Sequence, residues 1–141
     1  MRGDYLEVRV GDERFGLLLT QVEHVADLGD VLPVPTRARA MRGVTSLRGR
    51  LIPLVHLGAL LAGTEPPAER GRTLVVARLG SSRVALEVDD AEAVRREDTV
   101  GPVGAGVAPW TRGIVQRDGG LVPILDLSGL GEALRKGGGT G

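Results

Sequence analysis

Apolar and polar residues alternate with a period of two along most of the chain, and the alternating runs come in pairs joined by turn residues. Leu6, Val8 and Val10 are separated by Glu7 and Arg9, and Phe15, Leu17 and Leu19 resume the alternation after Gly11-Asp12. This period sets successive side chains on opposite faces of a strand, and glycine at the first central position of a two-residue turn accepts the positive φ a hairpin needs. The two runs predict a β-hairpin, with Leu18 facing away from Leu17 and Leu19 and packing against the other half of the molecule. Residues 21–26 predict a short turn or strand. Leu32-Pro33-Val34-Pro35 predicts an extended loop, because proline donates no ladder hydrogen bond. Residues 44–47 and 50–55 predict a second hairpin turning at Arg48-Gly49, and 58–61 a short helix. Segment 63–71, with Pro66-Pro67, is the best internal boundary.

The pattern then starts again. Residues 74–79 and 84–88 predict a hairpin around Gly80-Ser81, and Ala93-Val94 opens another short strand. Residues 97–109 predict a Gly/Pro-rich loop. A last hairpin, 113–116 with 121–125, turns at Asp118-Gly119. A short helix over 128–136 follows, with Ser128 as its N-cap and Gly137 as its stop. Residues 137–141 read as a disordered tail or an appended remnant.

The two halves are related. Gly43-Val44 and Gly49-Arg50-Leu51-Ile52-Pro53-Leu54-Val55-His56-Leu57 align with Gly113-Ile114 and Gly119-Gly120-Leu121-Val122-Pro123-Ile124-Leu125-Asp126-Leu127 at an offset of 70 residues. Gly11, Arg14, Leu17 and Val25 align with Gly80, Arg83, Leu86 and Val94 at an offset of 69. Two copies of one small β unit are expected, at about 4–63 and 72–127. A five-stranded unit closes best as a barrel, which removes exposed edges. Pro53 and Pro123 then mark edge or bulge positions where a strand bends.

Composition narrows the function. The chain has 141 residues, enough for one ordinary domain or two small packed halves. With no cysteine it can hold neither a disulfide nor a thiolate metal site. Eighteen basic residues balance eighteen acidic ones, and there is one Trp, one Tyr and one Phe. A neutral chain with three aromatics is a poor nucleic-acid binder, which leaves a small-barrel nucleic-acid module as a distant alternative. The N-terminus lacks the apolar core of a signal peptide, and the longest apolar stretch, 51–62, is too short to span a bilayer. The expectation is a cytoplasmic protein with no membrane insertion.

No arrangement of nucleophile, base and acid is visible, so no enzyme is expected. Asp89-Asp90 reads as a solvated turn. Ser46 and Ser81-Ser82 lack a nucleophile-elbow setting, and 101–106 lacks the Lys-Ser/Thr of a phosphate loop. His24 and His56 have no partners at metal-ligand spacing, so neither a metal nor any other cofactor is expected.

The stretch Gly43-Val44-Thr45-Ser46-Leu47-Arg48-Gly49-Arg50-Leu51-Ile52-Pro53-Leu54-Val55 resembles the signature hairpin of the CheW-like family, in which an Asn-Leu-Arg-Gly run precedes a strand ending Pro-Val-Val-Asp-Leu. The resemblance runs from Tyr5 to about residue 134. It implies an all-β fold of two intertwined five-stranded SH3-like barrels with short helices. It also implies an adaptor that couples the regulatory domain of a CheA-type histidine kinase to the tip of a methyl-accepting chemoreceptor, recruited to receptor arrays, with no reaction of its own.

Carried over by position, Arg48 matches the family's arginine, Gly43, Leu47 and Gly49 fit its hairpin, and Val22 and Val25 match an apolar pair near the receptor groove. Three positions depart from the pattern. Ser46 stands for Asn, His56 for Asp, and His24 for a Glu that can pair with the arginine. The expected partner-binding set is Arg48, Val22, His24, Val25, Gly43, Ser46 and Leu47. The departures suggest a divergent member, serving a dedicated pathway or lacking one of the two contacts. An adaptor for gliding or pilus motility and an excised kinase regulatory domain are the alternatives within the same fold.

Overall fold

The computed structural model describes residues 3–36, 38–79, 81–97, 111–117 and 120–129. All but the first residue of the predicted loop 97–109, most of the predicted helix 128–136 and the tail 137–141 lie outside them. Among the described residues eleven strands form: β1 (Gly3–Val10), β2 (Glu13–Leu18), β3 (Val22–Asp27), β4 (Val31–Leu32), β5 (Met41–Leu47), β6 (Arg50–His56), β7 (Thr73–Leu79), β8 (Ser82–Val88), β9 (Asp90–Glu97), β10 (Thr111–Arg117) and β11 (Gly120–Leu125). A 3₁₀ turn (Leu19–Gln21) follows β2, and a short helix, α1 (Leu57–Ala62), follows β6.

The strands build two sheets, in the orders β10-β11-β2-β1-β9 and β3-β7-β8-β6-β5-β4. The sheets do not follow the chain halves 4–63 and 72–127. Strands β1 and β2 leave the first half to join β9, β10 and β11, while β7 and β8 join β3 to β6. The exchange is completed by two short parallel contacts, β11 with β2 and β6 with β8. The units that repeat in sequence are therefore hairpins, traded between sheets.

Burial explains why several strands read as continuous apolar runs. On β7, Leu74 and Val76 face a core enclosed by the second sheet, with Ile52, Leu54 and Ala85. Val75 and Ala77, of opposite parity, face a larger cluster to which both sheets contribute: Leu6, Val8, Phe15, Leu17 and Leu125 from the first, Val55, Leu79, Val84, Leu86 and Val88 from the second. Tyr5, Val115, Val122 and Ile124 form the first sheet's own core. Strands covered on both faces lose the polar half of the alternation. The seam is formed by Leu17, whereas Leu18 packs into the first sheet's own core. Val115, Val122 and Ile124 of that core come from the second half of the chain, so Leu18 packs against the other half as expected.

The repeat is visible in the register. The pairing of β5 with β6 slips between Met41 and Gly43, and that of β10 with β11 slips at the equivalent place, between Thr111 and Gly113. β8 pairs with β6 only from Leu54 onward, and β2 with β11 only from Ile124 onward. Among the described residues, Pro53 and Pro123 thus sit where one side of their strand is not yet paired, which suits a residue without an N–H.

Several small contacts differ from the sequence reading. Asp89 is a tether between the sheets: its carboxylate accepts the Gly11 N–H at 2.6 Å, and its own N–H donates to the Arg9 carbonyl at 2.9 Å. At the end of β11, Asp126 rather than Ser128 caps the helical turn at 127–129, accepting the Ser128 N–H at 3.0 Å. Gln21 reaches across to this turn, donating to Asp126 at 3.1 Å and accepting from the Leu127 N–H at 2.9 Å. Inside the second sheet, Glu87 is fully buried and accepts two bonds from Arg42, at 2.6 and 3.0 Å, and one from the Gly71 N–H at 2.7 Å. Arg42 also donates to the carbonyls of Pro67 and Glu69, so one ion pair fastens the segment after α1 to the sheet.

Candidate functional site

The turn between β5 and β6 is two residues long, since Leu47 pairs with Arg50. Both central residues have positive φ, 52° at Arg48 and 80° at Gly49, the pattern of a type I′ hairpin turn. Asn, Asp or Gly ordinarily holds the first position. Arg48 is the one non-glycine residue with positive φ among the described residues. An L-residue there carries roughly 1–2 kcal/mol of backbone strain. Strain kept at an exposed turn points to the side chain it presents.

Next to this turn lies a groove of about 290 Å³ lined by Glu23, His24, Leu47, Arg48, Arg50, Ile52, Val76 and Arg83. Its floor is apolar, because Ile52 and Val76 belong to the second sheet's core and Leu47 packs against that core. Its rim is charged. The pairing of β3 with β7 slips between Val22 and His24. The extra residue is Glu23, and a bulge of this kind re-aims a side chain. Glu23 lies under Arg78 and Arg83, which stand opposite each other on β7 and β8, and takes one bond of 2.7 Å from each. These hydrogen bonds, Arg78's first and then Arg83's, hold its carboxyl below the usual carboxylate range. Each carboxylate oxygen thus takes one arginine of the β7–β8 hairpin, and neither is bonded to Arg48 or Arg50. Among the described residues, neither Arg48 nor Arg50 has an ion-pair partner.

Of the seven residues expected from the sequence, His24, Leu47 and Arg48 meet in this groove. Val25 lies nearby on β3 and is 41% exposed. Ser46 is exposed on the outer face of β5, paired in register with Leu51. Val22 packs against the seam between the sheets. Gly43 is buried at the far end of β5, where a Cβ would collide with the Leu32 carbonyl oxygen. Gly43 is buried in the framework, and Val22 is half-buried with its inner side against the seam. The sequence reading missed Glu23, Arg50, Ile52, Val76 and Arg83. Arg50 could have been found from its place beside the turn. Glu23 could not, because the bulge that turns it toward the arginines leaves no mark in the alternation.

A second cleft, of about 440 Å³, is lined by Thr36, Ala38, Arg39, Met41, Arg42, Glu65 and Pro66. It contains none of the expected residues, and Arg42 within it is committed to Glu87. Among the described residues, no helix is long and apolar enough to cross a membrane.

Two strand-exchanging β-sheets share a common apolar seam, and a strained arginine stands beside a charged groove on the second sheet. Comparison with known proteins makes this specific. The sequence model of the CheW-like domain matches residues 4–135, and the chain belongs to that family. It is 27% identical over 128 residues to the chemotaxis protein CheW of Thermotoga maritima, covering 88% of this chain and 84% of that one. It is 25% identical over 130 residues to the chemotaxis protein CheW of Treponema pallidum, covering 84% and 76%. The crystal structure of the scaffolding protein TtCheW from Thermoanaerobacter tengcongensis superposes with a TM-score of 0.76 at 20% identity, covering 92% of each chain, and shows the same fold.

Proposed function

We propose that this chain is a chemotaxis coupling adaptor that links the regulatory domain of a CheA-type histidine kinase to the cytoplasmic tip of a methyl-accepting chemoreceptor, and that the groove beside Arg48 is one of its contact sites. The family match over residues 4–135 supports the adaptor role. The observation that supports the site is the combination of a strained Arg48 with a groove whose own carboxylate is already bound by Arg78 and Arg83. Arg48 and Arg50 keep their charge available, over a floor of Leu47, Ile52 and Val76. Such a surface suits a partner segment that offers a carboxylate next to an apolar side chain. Arginine is among the residues that dominate interface energies when a partner desolvates it. The protein acts by binding and leaves phosphorylation to the kinase. It works in the cytoplasm, at membrane-associated receptor arrays.

His24 gives this member its own character. A histidine cannot supply the carboxylate that a glutamate there would offer to Arg48. The partner must supply it, so this adaptor is matched to a dedicated kinase or receptor. Calorimetry with the kinase regulatory domain and with a soluble receptor fragment tests the reading. Arg48→Ala should weaken one of the two partners by ten-fold or more and leave the circular dichroism unchanged. His24→Glu should favour partners of the ordinary family. Equal affinities of wild type and Arg48→Ala for both partners would remove the groove from the interface.

A further inference from the structure

The repeat supplies an internal comparison at the ends of β6 and β11. His56 and Asp126 occupy equivalent positions 70 residues apart, and each begins a helical turn. Asp126 accepts the N–H of Ser128 at 3.0 Å, and His56 Nδ1 accepts the N–H of Ala59 at 3.0 Å. The two acceptors differ in their chemistry. A carboxylate accepts at any pH above about 4. An imidazole nitrogen accepts only while it carries no proton, so Ala59 requires the neutral tautomer with hydrogen on Nε2.

The element held by this bond matters to the whole molecule. Leu57, Ala59 and Leu60 of α1 are buried in the apolar seam that joins the two sheets, together with Val8, Phe15 and Leu17 of one and Val55, Leu86 and Val88 of the other. The His56 ring is packed tightly: a Cβ on Gly58 would fall 3.1 Å from its Cε1 and 2.8 Å from Val10. The charged groups facing it are Glu87 of β8, Arg42 of β5 and Asp89 beyond β8. Burial has the largest influence and disfavours the cation, Arg42 adds to it, and the two carboxylates oppose it, leaving the imidazole easier to deprotonate than a free histidine. Glu87 accepts three bonds, two from Arg42 and one from the Gly71 N–H, and none from the His56 ring.

We propose that His56 is a proton-operated latch on the seam between the sheets: protonation at Nδ1 replaces an acceptor by a second donor facing Ala59, frees the first turn of α1, and loosens the seam that α1 fills. The proton comes from solvent and no covalent bond changes. The sister position cannot respond in this range, because Asp126 stays ionised until far more acidic conditions. The latch stands independently of the adaptor reading, since it concerns only the chain's own seam.

Amide hydrogen exchange on the full chain, corrected for the intrinsic pH dependence of exchange, tests it. One linked proton allows at most a tenfold loss of protection per pH unit. Protection of the Ala59 amide should fall toward that slope as pH drops below about 6.5, the ordinary histidine value, and level off once the folded protein is itself protonated. The ¹⁵N signal of the unprotonated His56 Nδ1 should disappear over the same range. His56→Asp, which installs the acceptor used at the sister position, should hold Ala59 protection flat across it. The latch is overturned if Ala59 protection is independent of pH, if His56 titrates without any change at Ala59, or if His56→Asp shows the same loss. The titration of wild type alone decides the matter should His56→Asp not fold.

Discussion

Replacing Arg48 by asparagine separates stability from binding at a single turn. Arg48 has φ 52° and is followed by Gly49 at φ 80°. The left-handed conformation costs an ordinary L-residue roughly 1–2 kcal/mol, whereas asparagine tolerates it, and Asn-Gly is the favoured pair for this turn type. No ion pair is lost, since Arg48 makes none among the described residues. Arg48→Asn should therefore stabilise the protein by about 1 kcal/mol. With a urea slope near 2 kcal/mol per molar, the unfolding midpoint rises by about 0.5 M at unchanged slope. Binding should move the other way. Loss of an arginine anchor costs about 2 kcal/mol or more, close to thirty-fold in Kd, for the partner that uses the groove. Urea unfolding followed by circular dichroism and calorimetric titration of each partner measure both arms. A variant that unfolds at lower urea would refute the account of backbone strain. A more stable variant that binds both partners as wild type does would refute the claim that the strain is retained for binding.

Four further outcomes follow from the same contacts. Arg42→Ala strands the fully buried Glu87 charge and should cost about 3–5 kcal/mol in chemical denaturation; Arg42→Lys should recover little, because an ammonium cannot reproduce the two-pronged bond. Gly43→Ala should destabilise by about 1–3 kcal/mol by the same measurement, since its Cβ meets the Leu32 carbonyl and its φ is 153°. At Asp126, burial alone would raise the carboxyl, but hydrogen bonds from Gln21 and Ser128, with the Arg112 charge, leave it below its ordinary 3.8. Its folded value is depressed, so its contribution is complete above pH 3.8 and is lost as pH falls through the folded value. Acid unfolding of Asp126→Asn should thus show a shallower loss than wild type below that pH. Association through the groove should slow as salt rises, since the attraction between Arg48, Arg50 and an acidic segment is screened; stopped-flow rates independent of ionic strength would argue for a purely apolar contact.

How far the fold could be read in advance depended on where side chains face. The hairpins were legible because Leu6, Val8, Phe15 and Leu17 alternate with polar residues and because Gly11 and Gly49 punctuate them. The doubled unit was legible because Pro53 and Pro123 recur in the same setting. The exchange of hairpins between sheets left no local signal: β7 and β8 carry apolar residues on both faces, and alternation cannot say which sheet covers which face. At the groove, Arg48 and His24 were legible through the family pattern, whereas Glu23 depended on a bulge. His56 stood out as a departure from that pattern, and the structure shows it doing by a ring nitrogen what Asp126 does by a carboxylate.

Reconstitution of signalling puts the coupling role to its most direct test. Kinase autophosphorylation is followed in vesicles carrying the cognate chemoreceptor, with the chain absent, present, or present as Arg48→Asn. Wild type should place the kinase under receptor control, so that stimulus changes the phosphorylation rate, and Arg48→Asn should weaken that control although it folds more stably. Receptor control that is the same with and without the chain would contradict the adaptor role.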